Sequence, residues 1–147
     1  ESTRAPDHAP AMLTANPRDG LFVGKDAVMA AIGSESICTL NALSAELHSG
    51  AGERYGRPGR IPGSVNVPAA SLADTASRAL LSPQAVQQAF TAVGAAPDKK
   101  IITYCGGGIA ASLDAYLLHQ LGYTDIAIYD ASLSEWAPDP DLPMETD

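Results

Sequence analysis

The residue best placed for chemistry is Cys105, which stands between an apolar run, Lys100 to Tyr104, and three consecutive glycines, Gly106 to Gly108. The run reads as a strand. Ile109 to Leu121 reads as a helix, with Leu113, Leu117 and Leu121 on one face and Gly122 behind it. A thiol at such a turn sits at the carboxyl end of a strand, where parallel sheets hold ligands. Glycines offer no side-chain obstruction, so backbone N–H groups can turn inward as an anion-binding nest, and the positive end of the helix adds to it. Both effects are expected to favour the thiolate. A thiolate that attacks a sulfur donor takes its outer sulfur, becomes a persulfide, and is cleared by a second nucleophile. Both states are anionic, so one cradle serves both. A thiol already ionised needs no general base, in keeping with the absence of histidine or acid within several residues of Cys105.

The competing account is a buried, inert core cysteine, since free Cys is among the most buried residue types. Cys38 is assigned that role. For Cys105 the glycines argue against it, because each costs about 0.5–1 kcal/mol relative to alanine in regular structure. Other motif readings fail. Gly106-x-Gly108-x-x-Ala111 imitates a dinucleotide-binding turn, with Asp130 ending the next strand, but too little chain follows Asp130 to complete such a domain. A P-loop requires a Gly-Lys-Ser/Thr that is missing, and a cysteine phosphatase needs an arginine six positions after the cysteine, where Ala111 stands.

The elements that must position this turn are legible as short alternating segments. Gly24 to Ile32 carries Val28, Met29 and Ile32 at helical spacing and stops at Gly33. Ser36 to Leu40 reads as a buried strand, Ser49 to Gly63 as a long loop, and Val65 and Val67 as a short strand ended by Pro68. Ser82-Pro83 starts a helix whose apolar face is Val86, Ala89, Phe90 and Val93, closed by Gly94, and Ile126 to Tyr129 reads as a further strand. Helices alternating with short apolar strands predict an α/β fold, a parallel sheet covered on both faces. Residues 1–20, with Pro6, Pro10, Pro17 and Gly20, read as an extended lead-in, and residues 21–147 as the domain.

At 147 residues and 46% hydrophobic content the chain fits one core. A net charge of −8 argues against non-specific nucleic-acid binding. No apolar run approaches the roughly 20 residues needed to span a bilayer, and Glu1 to Pro10 lacks the apolar stretch of a secretory signal. Nucleic acid and membrane are therefore not expected partners, and the expected location is the cytoplasm. Arg54, Arg57 and Arg60 crowd three of the nine cations into one loop, either a solvated loop or an anion-attracting rim. Two cysteines do not make a disulfide scaffold, and without a Cys-x-x-Cys pair and with His8, His48 and His119 scattered, no metal or other cofactor is assigned. Trp136 reads as a core aromatic, Asp130 as a strand-end or cap residue, and the acidic end from Asp139 to Asp147 as solvated.

Three segments resemble the rhodanese sulfurtransferases: Gly59-Arg60-Ile61-Pro62-Gly63-Ser64-Val65-Asn66-Val67-Pro68, Tyr104-Cys105-Gly106-Gly107-Gly108-Ile109-Ala110-Ala111, and Ile128-Tyr129-Asp130-Ala131-Ser132-Leu133-Ser134-Glu135-Trp136. The likeness extends over about residues 20 to 143 and is nearest to the catalytic second half of tandem-domain thiosulfate/mercaptopyruvate enzymes. It implies a rhodanese-like three-layer fold with a five-stranded parallel sheet. It also implies Cys105 as the sulfur-accepting nucleophile, with a persulfide cradled by the backbone of Gly106, Gly107, Gly108, Ile109, Ala110 and Ala111. The implied activity moves sulfane sulfur from thiosulfate, or a similar donor such as mercaptopyruvate, to cyanide or a thiol, with a protein as an alternative acceptor. A non-catalytic module that carries persulfide, or docks on a protein, is the alternative. Departures bear on the donor. Where the family often has Asp-x-Arg this chain aligns Asn41 and Leu43, a later family arginine falls on Leu47, and Gly106 and Gly107 replace the cations of the thiosulfate-type Cys-Arg-Lys-Gly loop. The mercaptopyruvate-type loop, Cys-Gly-Ser-Gly, is nearer. Arg54, Arg57 or Arg60 is expected to supply the missing positive charge for an anionic donor.

Overall fold

The computed structural model describes residues 9–147. Residues 1–8 of the expected lead-in lie outside the described residues, and residues 9–20 are exposed and carry no helix or strand. Four strands form one parallel sheet in the order β2-β1-β3-β4: β1 at Ile37–Asn41, β2 at Val65–Asn66, β3 at Lys100–Tyr104 and β4 at Ile126–Ile128. The central pairing aligns Cys38 with Ile101 and Asn41 with Tyr104, so the carboxyl ends of β1 and β3 finish level.

The sheet has four strands where the resemblance implies five. At the outer edge of β4 a single parallel bridge, Phe22 to Ile128, occupies the place of a fifth strand, with Ile128 N–H donating to Leu21 C=O at 2.8 Å and Val23 N–H to Ile128 C=O at 3.0 Å. The segment cannot extend further. Gly20 turns the chain at φ 78° on one side, and Gly24 caps the next helix on the other, leaving three residues to pair.

Helices cover both faces, as the alternation requires. On one side α3 (Pro83–Ala92) and α4 (Ile109–Gln120) enclose Cys38, Leu40, Phe90, Ile101 and Leu118. On the other α1 (Lys25–Ala31) and α5 (Ser132–Trp136) enclose Val28, Ile61, Ile102, Tyr104, Tyr129 and Trp136. Adjacent Ile101 and Ile102 go to opposite cores, the strand period of two. Ser82 caps α3 by accepting from Ala85 N–H with Pro83 in the first turn, as the sequence predicts. Trp136 is fully buried, its indole N–H donating to Pro143 C=O at 2.8 Å. Two short α-helices and one 3-10 turn were not foreseen: α2 (Ala45–Ser49), capped by Ser44, α5, which opens at Ser132 with φ 53°, and the turn Ala69–Leu72. Among the described residues no helix is long and apolar enough to cross a membrane.

Candidate active site

Cys105 follows β3 immediately, and the turn after it is held from outside. Cys105 N–H donates to Ser132 Oγ at 3.0 Å, while that hydroxyl donates to Tyr129 C=O at 2.7 Å. The Cys105 carbonyl accepts from Leu133 N–H at 3.1 Å, and the Gly106 carbonyl from Ser134 N–H at 2.9 Å and from the Ser134 hydroxyl. Because each peptide is planar and trans, a carbonyl drawn toward α5 turns the next N–H the opposite way. The N–H groups of Gly106 and Gly107 are turned away from α5 in this way, and the Gly107 carbonyl accepts from Ile109 N–H at 3.0 Å; the N–H groups of Gly106, Gly107 and Gly108 have no acceptor among the described residues. Consecutive unengaged donors following a cysteine are the arrangement from which an anion-binding nest can be built.

Two of the glycines are required by contact. A Cβ at Gly106 would stand 2.0 Å from the Tyr55 hydroxyl oxygen, and one at Gly108, which caps α4 at φ 80°, would stand 2.3 Å from Asp130 Oδ1. Gly107 is different: the nearest atom to its Cβ would be Ser134 Oγ at 3.7 Å. Cys105 is 3% exposed and borders solvent at an open cavity of about 290 Å³, lined also by Leu43, Tyr55, Gly106, Gly107, Ile109 and Ala110 with Ser134. Of the loop residues proposed from sequence for their backbone N–H groups, Ala111 has its side chain fully buried beside Ala42, Ala69 and Ala115.

The arginine cluster does not converge on this cavity. Arg57 is engaged with the chain's final segment: its guanidinium donates to the carbonyls of Ala137 at 2.6 Å, Asp139 at 2.6 Å, Leu142 at 2.8 Å and Trp136 at 3.4 Å. Arg60 pairs with Glu145 and Asp147 and donates to His48 C=O. These two are fasteners of the C-terminal segment, which corrects the expectation that they form an anion rim. The acidic end is likewise partly engaged, since Asp139 pairs with Lys25 at 3.0 Å. Arg54 is exposed, its guanidinium carbon 5.8 Å from the centre of the Tyr55 ring. Cys38 is free and buried, and burial pushes its thiol up.

The long loop from 50 to 63 owes its path to these fasteners and to Tyr104, whose hydroxyl meets Ser64 Oγ at 2.7 Å and accepts from Ile61 N–H at 3.1 Å. Burial pushes the Tyr104 phenol well above its ordinary range, so it remains protonated. The site residues that sequence reasoning missed are Tyr55, Leu43 in its role as cavity wall, Ser132 and Ser134. Tyr55 carried a signal, being the one aromatic in the long loop.

A family model described as a rhodanese-like domain matches residues 51–139. The chain belongs to this family. The rhodanese-like domain is 41% identical over 90 residues to thiosulfate/3-mercaptopyruvate sulfurtransferase 1, mitochondrial, of Arabidopsis thaliana, covering 61% of this chain and 24% of that protein. It is 28% identical over 141 residues to the thiosulfate sulfurtransferase of Azotobacter vinelandii, covering 96% of this chain and 51% of that protein. The chain therefore spans about a quarter to about half of these relatives. Among solved structures, the anaerobic ergothioneine biosynthesis enzyme from Chlorobium limicola superposes with a TM-score of 0.81 at 22% identity, over 88% of this chain and 32% of that one, a likeness of fold.

Proposed function

We propose that this rhodanese-like domain is a sulfurtransferase that works through a persulfide on Cys105. The observation that carries the reading is the set of three unengaged amide donors, Gly106 to Gly108, following a cysteine that opens on a cavity. The thiolate attacks the transferable sulfur of the donor and that sulfur's bond to the remainder breaks, S–S in thiosulfate, with the pair leaving on sulfite, and C–S in mercaptopyruvate, with the pair leaving on the enolate of pyruvate, which then takes up a proton. The nest stabilises the anionic sulfur before and after transfer without rearrangement. Thiosulfate and mercaptopyruvate are the donor types that the relatives' names carry, and the reading takes cyanide or a thiol as the acceptor.

Thiocyanate formation from a sulfane donor and cyanide tests the reading. Multiple turnovers by the wild type and none by Cys105→Ala are expected. Turnover that persists in Cys105→Ala defeats it, whereas loading of Cys105 without turnover assigns the domain to persulfide carriage.

A further inference from the structure

The walls of the Cys105 cavity carry information about the donor beyond the nucleophile itself. Leu43 and Tyr55 are half-buried in it, Ile109 stands at its mouth 87% exposed, and Ala110 continues the apolar surface. The one hydroxyl among the lining side chains besides that of Tyr55, Ser134, already donates to Gly106 C=O. None of the lining residues is cationic. Arg57 and Arg60 are held by carbonyls and carboxylates elsewhere, and Arg54 lies outside in solvent over the Tyr55 ring. Asp130 works against added negative charge, since its carboxylate packs on Gly108 within the loop.

Resting on the Cys105 persulfide reading, we propose that this cavity selects a sulfane sulfur carried on an apolar organic body bearing at most one negative charge, with Leu43, Tyr55 and Ile109 as the specificity-determining residues. The backbone nest can match one anionic sulfur. Thiosulfate carries a second formal charge on its sulfonate end, which would enter a cavity with no side-chain cation to replace its hydration and with Asp130 at the loop's flank. An aliphatic or aromatic body instead displaces water from Leu43, Tyr55 and Ile109.

The chemistry balances for this donor class. With an organic hydropersulfide RS–SH, Cys105 Sγ bonds to the outer sulfur and the RS–S bond breaks. Its electron pair leaves on RS⁻, and the proton stays on the transferred sulfur. With an organic thiosulfonate R–SO₂–S⁻, the same attack forms the Cys105 persulfide anion and releases the sulfinate R–SO₂⁻. In both, the cysteine is oxidised to the persulfide level and the donor remainder is reduced by the same electron pair.

The test compares benzenethiosulfonate with thiosulfate as donors to the full chain, following sulfur gain on Cys105 by intact mass. Each rate is divided by that of the same donor with a small free thiol, which removes intrinsic donor reactivity. The expected normalised preference is about tenfold or more for benzenethiosulfonate. Leu43→Arg should lower that preference about tenfold by speeding thiosulfate. Ile109→Lys, at a position open enough to accept the longer side chain without refolding cost, should shift it the same way. Equal or faster normalised loading by thiosulfate in the wild type overturns the proposal, as does a preference unmoved in both variants. Failure of both donors to load the folded wild type overturns the underlying Cys105 reading instead.

Discussion

Asp114 on α4 is fully buried, and neither carboxylate oxygen has a hydrogen-bond partner. Burial raises its pKa from 3.8 to about 8, so the carboxyl is protonated in the folded chain at neutral pH. The unfolded chain releases that proton near pH 4. The folded state thus binds more protons between these values, and the stability it contributes, fully present below the unfolded pKa, is lost as pH rises toward the folded one. At pH 7 the interval is about three units, or about 4 kcal/mol, a large share of the roughly 5–15 kcal/mol that holds a domain together. Asp114→Asn removes the ionisation and nearly preserves shape. Urea unfolding of both proteins at pH 5, 7 and 9 should show a gain for the variant of about 2 kcal/mol at pH 5, about 4 kcal/mol at pH 7 and about 5–6 kcal/mol at pH 9, where it levels off, on any constant offset from the amide. Asp74, Asp139 and Glu145, whose partners hold them below the usual carboxylate range, act in the opposite sense but cancel in the difference. A difference that does not vary with pH would refute the linkage.

Gly106→Ala should slow persulfide loading about a hundredfold by driving Tyr55 off the loop, with recovery in Gly106→Ala/Tyr55→Ala, whereas Gly107→Ala should load normally. Loading time courses on folded variants decide this. Gly59→Ala places a Cβ 2.2 Å from Glu145 C=O at φ 100°, so thermal melting should show a loss of about 2–3 kcal/mol. Arg57→Gln leaves the carbonyls of Trp136, Ala137, Asp139 and Leu142 without their donor and should destabilise by about 3 kcal/mol in urea, with normalised thiosulfate loading unchanged. A drop in loading at equal foldedness would return Arg57 to the site.

Much of the scaffold was legible because it obeys local rules. Ser82-Pro83 announced α3, Gly122 closed α4, and Lys100 to Tyr104 formed the strand that delivers Cys105 to the sheet's ligand-binding end. The turn between strand and helix was also legible, since three consecutive glycines are costly inside regular structure. The anchors that hold it were not: Ser132, which accepts from Cys105 N–H, and Ser134, which donates to Gly106 C=O, lie 27 and 28 residues from their partners, a separation that periodicity does not report. The arginines misled for the same reason. Their crowding in sequence resembled an anion rim, but Arg57 and Arg60 are taken up chiefly by carbonyls and carboxylates of residues 136–147, brought alongside by the tertiary fold. The fifth strand was implied by resemblance and shortened to one bridge by the spacing of Gly20 and Gly24.

The central claim is that Cys105 carries sulfur, and intact mass of the full chain after exposure to a sulfane donor, then to cyanide, tests it most directly. A gain of one sulfur atom is predicted, mapped to Cys105 by digestion, removed by cyanide and absent in Cys105→Ser, with the buried Cys38 unmodified. A gain that survives Cys105→Ser, or a folded wild type that takes sulfur from no donor, would contradict it.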